Sequence, residues 1–225
     1  MEELRARLIL TVAAINPRMV HALITDSASG PGAKGSAVMA LERGNLTDRV
    51  RQLAADKKTL LEVDRSMKRA EELGARWLMP GDEEFPEELT DTPLLSIRGS
   101  WHRGTSVGIV GSREADEYGR TVARSLARAL ATVRISVVSG AARGIDEAAH
   151  LGALDIVNGH TVAVLGTGLA GDRNPRKRQL LDKIAEQGAV ISEYSTEYRG
   201  SPFSFPQRNR LIARLSKAVV VAQAF

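Results

Sequence analysis

The sequence predicts an α/β fold: a mostly parallel sheet with flanking helices, preceded by a small helical segment. From residue 106 onward, short β-branched runs alternate with stretches of helical period, which is the pattern of a parallel sheet covered on both faces. Four of those runs end in small or polar residues, GSR, SGAARG, GTG and SE, as strands do when they feed a ligand edge. The first ~70 residues, by contrast, read as helices.

In chain order, Glu2 to Ile15 is periodic in Leu and Ile, and Asn16-Pro17 supplies a cap and a first-turn proline for a helix over Arg18 to Ile24. A Gly- and Ser-rich loop covers residues 26–36. Short helices are expected at Val38 to Arg43, Leu46 to Leu53 and Thr59 to Leu73, which makes residues 1–73 a small helical domain. Residues 74–105 read as a linker with two short lead-in strands, Ala75 to Met79 and Leu94 to Arg98, broken by Pro80-Gly81, Pro86 and Pro93. Residues 106–225 carry five strands, Val107 to Val110, Ile135 to Val138, Thr161 to Leu165, Ala189 to Ile191 and Lys217 to Ala222. Helices are expected between them at Tyr118 to Val133, after Ile145-Asp146, and from Asn174-Pro175 through Gln187.

Composition narrows the function classes. The chain has 225 residues and no cysteine, so it has neither a disulfide frame nor a thiolate metal site. Its four histidines stand far apart in sequence, and no metal is expected. No run of about 18 apolar residues exists, and the charged start MEELRARLIL does not suit a signal peptide, so a cytoplasmic protein with no membrane partner is expected. The basic charge is uneven. Residues 1–100 hold 14 Lys and Arg against 16 Asp and Glu, whereas residues 101–225 hold 17 against 11. The excess therefore lies with the glycine turns, which favours an anionic partner there and argues against strong nucleic-acid binding by the helical part.

The stretch SVVSGAARGIDEAAHLGAL, residues 136–154, has the strand, small-residue turn and helix start that bind phosphate. Glycine lets the backbone come close, and first-turn amides face the anion. Arg143 adds a planar phosphate donor. Because the carboxyl ends of parallel strands share one edge, Gly111, Ser112, Arg113, Ser139, Gly140, Arg143, Gly166 and Gly168 are expected to converge. The dinucleotide fingerprint GxGxxG and the P-loop GxxxxGK[ST] are both absent, which removes ordinary NAD binding and P-loop NTPase activity. A second stretch, SPFSFPQRNRLIARLS at 201–216, interleaves Phe203 and Phe205 with Arg208, Asn209 and Arg210. Stacking faces beside phosphate charges suit single-stranded nucleic acid; the competing reading is a loop whose phenylalanines plug the core.

Taken together, these stretches resemble the DprA/Smf family of DNA-processing proteins. VGIVGSREADEYGR (107–120), SGAARGIDEAAH (139–150), TVAVLGTGL (161–169), ISEY (191–194) and FPQRNRLIARLS (205–216) match its signatures in order and at fitting spacing, and FPEELTDTPLLSIRG (85–99) is similar to its lead-in. The resemblance covers roughly residues 75–225. It implies an extended Rossmann-like domain that binds single-stranded DNA without catalysis or cofactor, protects incoming strands and helps load the RecA recombinase in natural transformation. Carried over by position, it assigns Gly111, Ser112 and Arg113 to one phosphate turn and Ser139, Gly140, Arg143 and Gly144 to a second. Gly166 and Gly168 fall in the third turn, Arg208, Asn209 and Arg210 in the basic segment, and Phe205 is assigned to base stacking. Asp146 is expected to hold its loop, since a carboxylate repels phosphate.

Two positions depart from the family: Arg214 stands where a small residue is usual, and Asn174 where tyrosine is common. Family members also continue past a fifth strand with a helix, another strand and a GR-x-V-x-A-x-PG-like segment. Because the chain stops at Phe225, the resemblance implies a domain lacking its usual C-terminal end, so DNA binding carries over more directly than a homodimer or RecA contact. Two alternatives compete. One is a nucleotide-binding sensor. The other is a nucleoside-monophosphate N-glycosidase-like enzyme, which resembles PGGxGTxxE where this chain reads GTGLAGDRNP with no following glutamate. Glu193 is expected to cap amides or pair with an arginine. A Ser-His-Asp hydrolase is disfavoured because Ser139 lacks the G-x-S-x-G setting.

Overall fold

The computed structural model describes residues 2–14, 16–28, 35–43 and 46–224; Ile15, Phe225 and the centre of the expected 26–36 loop lie outside them. Five helices open the chain: Glu2–Ala14 (α1), Pro17–Asp26 (α2), Ala37–Arg43 (α3), Asp48–Ala55 (α4) and Lys57–Glu72 (α5). Asn16 caps α2 as its sequence context predicts, its side-chain oxygen accepting from the amide of Arg18 at 3.1 Å while Pro17 occupies the first turn. Ala6, Leu10, Val20, Ala40, Leu46 and Val50 form the bundle's own core.

Seven strands then build one sheet: Arg76–Leu78 (β1), Leu95–Gly99 (β2), Ser106–Gly111 (β3), Ser136–Ser139 (β4), Thr161–Leu165 (β5), Ala189–Ser192 (β6) and Ala218–Gln223 (β7). Their order is β1-β2-β6-β5-β4-β3-β7. The five strands from β3 onward pair in parallel, while β1 and β2 add an antiparallel flap against β6. The lead-in strands are thus part of the sheet itself. The chain order doubles back beside β3, so the parallel strands carry their carboxyl ends to one edge.

Alternation along each strand decides which helix covers it. Val138, Val162, Val164 and Ile191 point to the face packed by Leu211, Ile212 and Leu215 of Ser204–Leu215 (α9). Val137 and Ile109 face the opposite layer, where Ala123, Ala127 and Ala131 of Glu117–Thr132 (α6) meet Ile145, Ala149 and Ala153 of Ile145–Leu154 (α7). Ala163, Leu165 and Val190 share that second face with Leu180, Leu181 and Ile184 of Pro175–Gln187 (α8). The alanine content lets α6 and α7 approach closely, which is how a core with few aromatics closes.

The helical bundle is tied to the sheet. Leu8 and Val63 pack with Leu94. Ser66 of α5 bonds Thr196 three times: its hydroxyl accepts from the Thr196 amide at 2.7 Å and donates to the Thr196 hydroxyl at 3.0 Å, and its carbonyl accepts from that hydroxyl at 2.9 Å. The bundle therefore buttresses the loop after β6.

Candidate functional site

Three segments meet at the carboxyl edge of the parallel strands. The first is the turn after β3. The hydroxyl of Ser112 accepts from the Glu114 amide at 3.1 Å, and Asp116 caps α6 by accepting from the amide of Gly119 at 2.7 Å. That turn leaves Arg113 exposed, with its guanidinium carbon 5.4 Å from the centre of the Phe205 ring. This is within cation–π range.

The second segment is the turn after β4. Ser139 donates to the carbonyl of Ile109 at 2.6 Å and fixes β4 against β3. The buried carboxylate of Asp146 accepts from the amides of Gly140 at 3.1 Å and Ala142 at 3.4 Å. Asp146 therefore holds the loop, and two amides that a phosphate would use are already engaged. Burial pushes its carboxyl above the ordinary range, while Arg208 and these amides pull the other way. Gly144 starts α7 at φ 91°, a backbone region that L side chains rarely adopt, and the Ile145 amide donates to Ser112 O at 3.2 Å. The Arg143 Nε also donates to Arg113 O at 3.2 Å, so the two turns are stitched together.

The third segment, 201–216, is where the structure goes beyond the sequence reading: it is mostly helix α9, not a loop. Ser204, Arg208, Leu211, Ile212 and Leu215 form its buried stripe. Ser204 Oγ donates to Gly166 O at 2.7 Å, anchoring the start of the helix to the end of β5. Phe205 packs over Gly166, where a Cβ would meet its ring at 2.8 Å. Phe203, in contrast, is 78% exposed.

Arg208 is only 4% exposed. Its guanidinium donates to Val164 O and fills the space a Cβ on Gly140 would need. Burial lowers its pKa and the neighbouring Asp146 raises it. Arg210 faces away from the turns. It pairs with the buried Glu193, and Asp91 lies 3.4 Å from it; Asp91 also holds Arg214 at 2.8 Å. Glu193, its pKa raised mainly by burial and lowered by Arg210, takes the arginine-pairing role that its strand-end position suggested.

Together the segments enclose a cavity of about 620 Å³. Gly111, Arg113, Ala142 and Asp146 form one wall; Gly200, Ser201, Pro202, Phe205, Arg208 and Asn209 form the other. Ser112, Ser139, Gly140, Gly144 and Gly166 build the frame behind it. Arg143 lines an adjoining hollow with Asn174, Arg176 and Lys177, so positive charge continues past the mouth. Two of the expected residues stand apart. Gly168 packs against the Ser195 and Thr196 carbonyls, and Arg210 is committed to the Glu193–Asp91 network. Gly200 lies just outside the stretch singled out in the sequence, and Ser201 and Pro202 at its start carry no assigned role there; their one signal is a Gly-Ser-Pro turn directly before the aromatic pair. Among the described residues no three His, Cys, Asp or Glu side chains are grouped to hold a metal, and no helix is long and apolar enough to cross a membrane.

The model of the family described as DNA recombination-mediator protein A matches residues 76–225. The chain belongs to this family. Among relatives of DNA recombination-mediator protein A type, protein Smf of Escherichia coli (strain K12) is 41% identical over 155 residues, covering 65% of this chain and 41% of that protein. DNA processing protein DprA of Streptococcus pneumoniae is 38% identical over 149 residues, covering 64% and 52%. The chain thus spans about half, or less, of the length of these relatives. The solved structure of DprA from Streptococcus pneumoniae superposes with a TM-score of 0.60 at 29% identity, covering 76% of this chain and 64% of that one. DprA from Helicobacter pylori superposes with a TM-score of 0.57 at 29% identity, covering 67% and 69%, and that protein is described as having a single-stranded DNA binding mode. The family match begins at β1, so it takes in the antiparallel flap, every parallel strand and both walls of the cavity.

Proposed function

We propose that the cavity at the carboxyl edge binds single-stranded DNA, with Arg113 and Arg143 neutralising phosphates and Phe205 receiving a base. The observation that carries this reading is the placement of an exposed arginine over an aromatic ring at the mouth of a strand-end cavity. Bases have a π-face whatever their sequence, and the guanidinium that now covers Phe205 is the group a phosphate would draw away. Gly140 makes room for Arg208 and Gly144 lets the first two turns approach each other, so both shape the site from behind, and Asn209 lies at the outer wall. Arg208 and Asp146 act behind the site as an internal strut. Arg210 braces α9 against Glu193 and Asp91.

The protein acts as a binder rather than an enzyme. Two buried carboxylates near this edge, Asp146 at the start of α7 and Glu193 after β6, are occupied by amides and by arginine respectively, which supports a structural role for each. Family membership supports a place in recombination: in the cytoplasm the protein protects incoming single strands and helps load the RecA recombinase, working as a homodimer.

The test measures binding of a labelled polythymidine strand and of a matched duplex at two salt concentrations, for the natural protein and Arg113→Ala. Preference for the single strand is expected, with Arg113→Ala weakening binding and lowering the salt slope by about one. Equal affinity for the duplex, or an Arg113→Ala variant that binds like the natural protein, overturns the assignment. A mononucleotide that binds as tightly as the long strand points instead to a nucleotide sensor.

A further inference from the structure

The opposite edge of the sheet, where the parallel strands begin, holds a second cavity of about 570 Å³. It is nearly as large as the first and shares none of its lining residues. Its walls come from the β2–β3 connection, the end of α6, the α7–β5 connection and the end of α8. Two imidazoles, His102 and His160, meet edge to face there with centroids 4.5 Å apart. His160 is held in place: one ring nitrogen bonds Ser136 Oγ and Nε2 donates to Ser100 O at 2.9 Å. His102 is exposed, so one of its faces is open to solvent.

Arg134 is the second unusual feature. It follows α6 at φ 61°, in the left-handed conformation that a helix end normally gives to glycine. The amide of Arg134 donates to Ala131 O at 3.1 Å and that of Ile135 to Leu130 O at 3.0 Å, which completes the helix stop without any help from the side chain. Glycine would make the same stop with less strain. Among the described residues the guanidinium makes a single long bond of 3.4 Å, to Asn158 O, and Asn158 is itself left-handed at φ 58°. Two of the three left-handed non-glycine residues among the described ones therefore line this one cavity. Backbone strain gathered at a cavity wall is a mark of a site. Arg103 stands on the same wall, donating to Glu87 at 3.1 Å and to the Glu83 carbonyl.

We propose that this cavity is a second nucleotide-binding site, taking a nucleotide unit whose base stacks on His102 and whose phosphate is held by Arg134 and Arg103. Imidazole faces and guanidinium groups in one hollow match the two halves of a nucleotide. Asn158 and Glu186, on the same wall, offer amide and carboxylate groups to a base edge. The unit can come from a free nucleoside monophosphate or from a second segment of a bound strand, and the chemistry recognised is the same.

The test follows the His102 and His160 ring resonances by NMR while dAMP, dGMP, dCMP or dTMP is added to millimolar concentration, and separately while a long polythymidine strand is added. Three proteins are compared: the natural one, Arg113→Ala and Arg134→Gly. Arg134→Gly removes the guanidinium and relaxes the backbone, so it is expected to fold at least as stably as the natural protein. Movement of both histidines in the natural protein and in Arg113→Ala, with at least fivefold weaker binding in Arg134→Gly, supports the site and separates it from the cavity at the carboxyl edge. Response to mononucleotides identifies a free nucleotide as the source; response to polythymidine alone identifies a strand. Histidines unmoved by either probe, or an Arg134→Gly protein that binds like the natural one, overturn the proposal.

Discussion

Replacing Arg208 with methionine tests whether this residue supports the site or touches the ligand. Methionine keeps much of the volume and the apolar stem but removes the bond to Val164 O and the positive charge beside Asp146. Asp146 is then a buried carboxylate held by the Gly140 and Ala142 amides with no neighbouring cation from α9. Losing a hydrogen bond made by a charged group typically costs about 1.5–3 kcal/mol, and Asp146 also loses the attraction of a nearby buried cation. The carboxyl of Asp146 already lies above its ordinary value, and losing Arg208 removes an attraction that lowers it. A raised acid group favours the folded state fully below its unfolded pKa, and that favour is lost as pH rises through the folded value. The destabilisation is therefore expected to be largest near pH 8 and smaller near pH 5. Urea unfolding of Arg208→Met, Asp146→Asn and the double variant measures it. The double variant should lose about 1–3 kcal/mol less than the sum of the singles. An Arg208→Met protein with an unchanged urea midpoint and lost single-strand affinity would refute the strut and make Arg208 a phosphate contact.

Two further outcomes follow from the packing. A Cβ on Gly168 would sit inside the backbone carbonyls of Ser195 and Thr196, which cannot swing away, so Gly168→Ala should lower stability by about 1–3 kcal/mol, read as a lowered thermal midpoint. His150 is fully buried beside Thr161, 2.8 Å from its hydroxyl, and its pKa is pushed down to about 3, first by burial and then by Arg208 and Lys177. The unfolded chain therefore binds the proton more tightly, and stability should fall as pH drops from about 6.5 towards 3, by up to about 1.4 kcal/mol per pH unit. His150→Gln should flatten that part of the stability–pH curve; an unchanged slope would refute the assignment.

The pattern of residues along the chain already determined much of this protein. The β-branched runs at 107–110, 135–138, 161–165, 189–191 and 217–222 are all strands within a residue or two, since period and turn chemistry are local properties. Their alternation with helices was enough to bring Gly111, Arg113 and the turn after β4 to one edge, because parallel strands have no other way to connect. The Asn16-Pro17 cap and the loop-holding role of Asp146 were legible for the same local reason.

What α9 does was decided only in three dimensions. Its arginines disguised a helical stripe of Ser204, Arg208, Leu211, Ile212 and Leu215, and nothing local marks Arg208 as interior. Its burial depends on a bare Gly140 at the end of β4, on the Val164 carbonyl of the neighbouring strand β5, and on a carboxylate 62 positions earlier in the chain. Arg210 likewise found Glu193 and Asp91 instead of solvent. Sequence sets the charge a residue carries, but whether that charge meets water, a ligand or a buried partner depends on neighbours that only the folded chain brings within reach.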